Sequence, residues 1–167
     1  MTIESTQDLI LDELQGLYTM ETQAVETYPQ LINAASSPEL KQALQQHAEQ
    51  TQGQVQRLEQ VFGQMGQQPQ GKNLRTIQGM IADTQQMIQS GTPGPVLDAG
   101  LIGAAQKMEH LEIACYGTAR TLAVEMNQDE VGELAQQTLD EEIETDRLLT
   151  TLAESRVNQQ AREMSMA

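Results

Sequence analysis

The chain has 167 residues, and its 24 acidic and 9 basic side chains give a formal net charge of -15 at pH 7. It is rich in Leu, Ala, Gln, Glu and Met, and only 2% of its residues are aromatic, a composition that favours an all-helical domain with one hydrophobic core. The charge argues against a nucleic-acid-binding or anionic-membrane-binding protein, because both classes need patches of Lys and Arg.

The single cysteine and the absence of long apolar runs bear on location. Cys115 cannot form an intrachain disulfide, which is typical of a reducing compartment. No apolar run approaches the roughly 20 residues of a membrane helix, and the N-terminal MTIESTQDLI lacks the basic start of a secretory signal. The sequence therefore predicts a soluble cytoplasmic protein.

A long first helix is predicted over residues 6–35. Ser5 followed by Asp8 forms a variant of the capping box, and apolar residues then recur at helical spacing. Glu21 interrupts the apolar stripe, so it either points inward or lies on the solvated edge of the stripe. Pro29 falls in the last two turns, where it should kink the helix or shift its end.

The second long helix is predicted over Pro38–Met65, with Ser36 as its cap. The short connection makes it an antiparallel neighbour of the first helix. His47 lies near the middle of its apolar stripe, either as a metal ligand or as a hydrogen-bonded core residue. Glu49 is the alternative ligand, although its angle places it off the inner face.

A break over 63–72, a short helix over 74–88 and a turn over 91–95 form a long crossover. Such a connection permits the helices on either side of it to run parallel.

The third long helix, Val96 to about Glu125, places two carboxylates where core residues should be. Glu109 and Glu112 share a face with small and apolar residues, so both should point inward. Two inward carboxylates one turn apart repel each other and lose hydration, at a cost of several kcal/mol per ion, unless a cation lies between them. A metal ion is the simplest solution.

The fourth long helix is predicted from an Asn127 cap to about Val157. Glu142 and Asp146 share its inner face, within the acidic run DEEIETD. The alternative interpretation is that this run is a solvent-exposed face, as is typical of such runs. Glu141 competes with Glu142 as the inward carboxylate.

In a bundle the midpoints of the four long helices meet at one level, where several buried acids without a cation are improbable. The sequence therefore predicts an iron or manganese site, with bridging carboxylates able to hold two ions. The candidate ligands come from all four helices and are Glu21, His47, Glu109, Glu112, Glu142 and Asp146.

Four segments resemble a known family: LYTMETQ, HAEQTQGQVQRLEQVF, AAQKMEHLEIACYGTARTLA and TLDEEIETD. They are similar to the YciF/YciE family of bacterial ferritin-like stress proteins, and the KxEHxEIAxYGT pattern is distinctive. The resemblance implies a ferritin-like four-helix bundle that forms homodimers and carries a dinuclear metal site like that of rubrerythrins. The chain departs from the common Glu-x-x-His pattern, because Leu44 precedes His47 and no His follows His110.

Three functions fit these observations. The first is a di-iron or di-manganese oxidoreductase of the ferroxidase or peroxidase type that reacts with oxygen or peroxide. In it Tyr18 and Tyr116 either act on the metals or are core tyrosines bonded to acids. The second is metal binding without turnover, and the third is a metal-free dimeric scaffold with proton-sharing acids. A single domain is expected over residues 1–157, followed by a frayed tail over 158–167.

Overall fold

The structure is a computed structural model that describes residues 2–166, and it is helical throughout that range apart from connections. Its six α-helices are α1 (Thr6–Ala34), α2 (Pro38–Gln64), α3 (Arg75–Ser90), α4 (Pro95–Glu125), α5 (Asp129–Leu152) and α6 (Asn158–Ser165). A π-helical turn, Ala153–Val157, joins α5 to α6. The predicted bundle of four long helices, with a short helix in the crossover, is confirmed. Within residues 2–166 no helix is long and apolar enough to span a membrane.

Each long helix runs antiparallel to its two neighbours. On the pair α1 and α4, Glu21 contacts Tyr116 while Tyr28 contacts Glu109, so the residue numbers of the two helices change in opposite directions. The contacts between α2 and α5 run in the same opposed sense. The order around the bundle is therefore α1, α2, α5, α4. This arrangement makes α2 and α4 parallel across the diagonal, as the long crossover permits.

The predicted starts of α1 at Thr6 and of α2 at Pro38 are confirmed, but the residue that caps α2 differs from the prediction. Ser5 and Asp8 form a complete capping box. At α2 the cap is Ser37, whose hydroxyl accepts a hydrogen bond from the backbone N–H of Leu40 at 3.2 Å. Ser36 is not the cap, since Ser37 is the residue directly before the first helical residue, Pro38.

The predicted Asn127 cap of the fourth long helix is wrong. Asn127 has φ 54°, in the left-handed region, and the next N–H, that of Gln128, bonds back to the carbonyl of Ala123 at 2.9 Å. Asn127 therefore closes α4, a role in which a left-handed residue satisfies the last carbonyls. The following helix begins at Asp129 with no side-chain cap.

Two other predicted features concern Pro29 and the C-terminal tail. Pro29 lies inside α1, which continues to Ala34. Where a frayed tail is predicted, α6 continues the chain as helix and packs against α4, although most of its side chains are exposed. Residue 167 lies outside the described part of the chain.

The crossover lies closely against α1. A Cβ atom added at Gly71 would lie 2.5 Å from the hydroxyl oxygen of Thr19, so a larger residue would push the crossover away. The Thr19 hydroxyl also accepts from the backbone N–H of Lys72 at 2.8 Å. The crossover is thus fixed to α1 while α3 packs across α1 and α4.

Asp98 joins the turn between α1 and α2 to the start of α4. Its carboxylate is buried and accepts the backbone N–H groups of Ser36 at 2.7 Å and Ser37 at 2.8 Å. We expect Asp98→Ala to lower the free energy of unfolding by about 2 kcal/mol, because two N–H groups lose a charged acceptor. Urea denaturation measures the loss. Asp83→Ala, at an exposed position of α3, is the control and should change little.

Candidate metal centre

Five of the six ligands predicted from the sequence lie buried in the middle of the bundle. None of these five side chains is more than 3% exposed, and they come from α1 (Glu21), α2 (His47), α4 (Glu109 and Glu112) and α5 (Glu142). The helical spacing places them there, since each replaces an apolar residue on the inner stripe of its helix. The structure thus brings side chains from four helices together at one level.

His47 lies against two of the carboxylates. Its Nε2 atom is 3.2 Å from Glu109 Oε1 and 3.7 Å from Glu142 Oε2. One ligand atom from each of these three residues lies within 4.8 Å of the other two, close enough to bind one ion. On the other side of the ring, Nδ1 is 3.1 Å from the hydroxyl of Thr145, and the ring of Tyr28 packs edge-on at 4.9 Å between centroids. These contacts orient Nε2 toward the carboxylates.

Two buried tyrosines hold the carboxylates of α1 and α4. Tyr28 donates to Glu109 Oε1 and Tyr116 donates to Glu21 Oε1, each at 2.6 Å. Burial, reinforced by neighbouring negative charge, raises the pKa of both phenols well above its ordinary value. Both hydroxyls therefore stay protonated and act as donors.

Each of the four carboxylates in the middle of the bundle has at least one oxygen without a hydrogen-bond partner. These oxygens are Glu21 Oε2, Glu109 Oε2, Glu112 Oε1 and Glu142 Oε2. An unpaired buried acceptor costs about 1–3 kcal/mol, and more when it is charged. Four carboxylates and one imidazole form a donor set that suits iron or manganese. The residues present therefore fit a metal ion, which the unpaired carboxylate oxygens would coordinate.

The electrostatics of the four carboxylates are dominated by burial. Burial raises the pKa of every one of them, and repulsion from the other acids adds to it at Glu21 and Glu112. At Glu142, burial and then its contacts with Glu109 raise the pKa to about 9. No Lys or Arg ion pair within residues 2–166 involves these carboxylates. Without a metal, protons must neutralise much of their charge.

The neighbouring acid Glu141 is paired with Arg57 and does not point into the middle of the bundle. Arg57 binds both of its carboxylate oxygens, at 2.9 and 3.0 Å, and Glu141 is 26% exposed. Gln54, which is fully buried, donates to Glu141 at 3.2 Å and also to Glu142. The structure therefore directs Glu142, and not Glu141, into the bundle. On α2, the alternative ligand Glu49 is exposed.

Asp146 is the one predicted ligand that lies outside the buried group. Its carboxylate accepts from Gln106 at 2.9 Å and is 3.4 Å from His110 Nε2, a residue that is 67% exposed. Asp146 shares the helical face of Glu142, yet its side chain meets α4 near the surface. Thr145 is the neighbouring residue that reaches the interior, at His47.

The sequence reasoning missed Tyr28 and Gln54, and it misplaced Tyr18. The Tyr18 hydroxyl donates to Glu59 at 3.4 Å, and its ring packs against Phe62. Tyr28 lies two helical turns after Glu21, and this spacing was the available signal. Gln54 gave no such signal, because a neutral amide beside an apolar stripe has no distinctive pattern.

The raised pKa of Glu142 predicts how the stability of the metal-free protein depends on pH. The folded state binds this proton more tightly than the unfolded chain, whose ordinary value is 4.5. The resulting stabilisation is fully present below pH 4.5 and is lost as the pH rises through about 9. Urea midpoints measured with chelator should therefore fall across this range. Glu142→Gln should flatten the fall, whereas Glu49→Gln should retain it; equal slopes in both variants would contradict the assignment.

Comparison with known proteins supports the same architecture. The family model described as a domain of unknown function, DUF892, matches residues 5–162. Protein YciF of Escherichia coli strain K12 is 36% identical over 162 residues, which cover 96% of this chain and 98% of YciF.

Solved structures give the same result. The crystal structure of the E. coli stress protein YciF matches with a TM-score of 0.89, 36% identity and coverage of 93% of this chain and 99% of that one. YcfI from Rhodopseudomonas palustris matches with a TM-score of 0.87, 36% identity and coverage of 89% and 95%. A protein of Xanthomonas campestris pv. campestris, at 22% identity and a TM-score of 0.79, shares the fold. The chain therefore belongs to the DUF892 family, that of the ferritin-like stress protein YciF.

Proposed function

We propose that this protein binds two metal ions, iron or alternatively manganese, and uses them to reduce hydrogen peroxide. The observation that carries the proposal is the set of four buried carboxylate oxygens that lack a partner around His47. Buried acids with strongly shifted pKa values cluster at functional sites. The response to stress comes from the description of the E. coli relative as a stress protein and is part of this proposal. The homodimer and the cytoplasmic location stay predictions.

The ligands divide into two groups that share Glu142. His47, Glu109 and Glu142 offer atoms within 4.8 Å of one another and would hold the first ion. Glu21 and Glu112 would hold the second ion, with Glu142 as a bridge. The bridging role is supported by proximity: burial is the main cause of the raised pKa of both carboxylates, and repulsion from the nearby Glu142 adds to it.

The chain's own residues would position the ligands and control protons. Tyr28 and Tyr116 each donate to one carboxylate oxygen, which leaves the other oxygen free to bind an ion. Two Fe(II) ions held by these residues would supply two electrons, one from each ion, and with two protons this is the balance needed to reduce one hydrogen peroxide to two waters. Glu142 must release its proton when metal binds, since a metal ligand is a deprotonated carboxylate.

The metal content of the purified protein tests the proposal. Protein prepared without chelator, and again after anaerobic loading with Fe(II), should contain close to two metals per chain by elemental analysis. Adding hydrogen peroxide should then oxidise the iron rapidly, as followed by absorbance. Two metals without oxidation would favour sequestration or a structural ion. No metal under either condition would contradict the proposal and indicate acids paired by protons.

Single substitutions assign the two metal positions. We expect Glu112→Gln to leave about one metal per chain and Glu142→Gln to leave fewer, because Glu142 serves both groups. The metal-free Glu112→Gln protein should be as stable as the parent or more so, because a buried repulsive acid is gone. Urea denaturation with chelator measures this stability.

Asp146→Asn provides the matched control, since Asp146 lies on the same helix as Glu142 but outside the buried group. It should retain the metal content of the parent. Unchanged metal content in Glu112→Gln and Glu142→Gln would show that these carboxylates are not ligands.

A further inference from the structure

A cavity of about 50 Å³ lies between α2 and α5 and reaches the buried group. Its inner end is formed by Tyr28, His47 and Thr145, the residues that fix and contact the imidazole. Its outer end includes Glu144, which is 79% exposed, and Leu148, which is 39% exposed. The cavity therefore connects the protein surface with His47.

The size and the walls of the cavity select what can pass. A single buried water needs about 10–15 Å³ of cavity volume, so this cavity admits a molecule somewhat larger than water. Between its two ends the walls are buried and apolar, formed by Ala43, Leu44 and Leu149. A hydrated divalent cation would lose its water ligands there without gaining oxygen ligands in their place. A small uncharged molecule meets no such barrier.

We propose that this cavity is the route by which hydrogen peroxide reaches the metal centre; the inference rests on the proposed function. Hydrogen peroxide is uncharged and only slightly larger than water. It can exchange hydrogen bonds with polar side chains at both ends of the cavity, from Gln50 at the outer part to Thr145 at the inner end. On arrival it lies beside His47, on the α2–α5 side of the buried carboxylates.

Two positions control this route without belonging to the buried group. Ala43 is 8% exposed and lines the cavity, so a Met there fills the space with a flexible side chain. Leu148 lies at the outer end, and replacing it with Ala widens the opening. Ala114→Met is the matched control, because Ala114 is exposed on α4 and does not line the cavity.

Access to the cavity is measured first in the metal-free protein. Dissolved dioxygen is paramagnetic and serves as a small uncharged probe that broadens the NMR signals of methyl groups it reaches. We expect broadening at Leu44 and Leu149, and much less at Leu17, which is fully buried and does not line the cavity. Ala43→Met should reduce the broadening at Leu44 and Leu149, whereas Ala114→Met should not. Broadening that is equal at all three leucines would overturn the inference.

The rate of reaction is measured next in protein loaded with Fe(II). Ala43→Met should slow peroxide-dependent oxidation about tenfold or more, equivalent to about 1.4 kcal/mol in the barrier, while two metals per chain remain bound. Leu148→Ala should react as fast as the parent or faster, and it tests the route even if Ala43→Met fails to fold. An unchanged rate in a folded, metal-loaded Ala43→Met protein, or a slower rate in Leu148→Ala, would overturn the route alone. A parent protein that binds no metal would overturn the proposed function and this inference with it.

Discussion

Four carboxylates buried against one another are the constraint on which the rest of this structure depends. Burial disfavours the charged form of Glu21, Glu109, Glu112 and Glu142, and mutual repulsion adds to the effect. Within residues 2–166 the Lys and Arg ion pairs lie elsewhere, so neutralisation has to come from protons or from bound cations. An apolar core of the same volume would be easier to fold, which makes this arrangement a sign of function.

The contacts around the carboxylates fix their geometry before any ion binds. Tyr28 and Tyr116 cross between α1 and α4, and each satisfies one oxygen of the acid on the opposite helix. On the other side of the bundle, Gln54 and Thr145 perform the same task for Glu142 and His47. Binding groups held by their own hydrogen bonds lose less freedom when a ligand arrives. The unpaired oxygens are therefore presented by a largely rigid frame.

The two sides of the centre are not equivalent. On the α1–α4 side, large aromatic side chains fill the space between the helices. On the α2–α5 side, the small residues Ala43 and Thr145 leave a cavity that ends at His47. The Arg57–Glu141 pair covers a different part of the same interface and keeps the competing acid near the surface. The cavity and the Tyr116–Glu21 hydrogen bond thus lie on opposite faces of the bundle, whereas Tyr28 contacts both Glu109 and the inner end of the cavity.

The path of the chain supports this arrangement through two fixed connections. Asp98 ties the α1–α2 turn to the start of α4, and Gly71 allows the crossover to lie flat on α1. The crossover makes α2 and α4 parallel on the diagonal, so every neighbouring pair of long helices is antiparallel. The midpoints of all four helices then coincide, and Glu21, Glu109 and Glu142 meet.

Sequence periodicity by itself determined the four-helix bundle, its long crossover and the inward direction of Glu109 and Glu112. A polar residue on the apolar stripe of a helix can be recognised from the sequence alone. It also identified His47 and Glu142 as candidates. Only the tertiary structure separated Glu142 from Glu141 and Asp146, because the partners that draw those two acids away lie on other helices.

The same limit explains the contacts that were missed or misplaced. Tyr28 and Gln54 take their roles from residues 81 and 88 positions away in the chain, and Tyr18 turned out to contact Glu59. The turn after α4 differs from the prediction because Asn127 adopts a left-handed conformation, which closes α4. In the sequence, an Asn at this position is equally typical of a residue that caps the start of the next helix. Local pattern determines which face of a helix is buried, while packing against the other helices determines what each buried atom contacts.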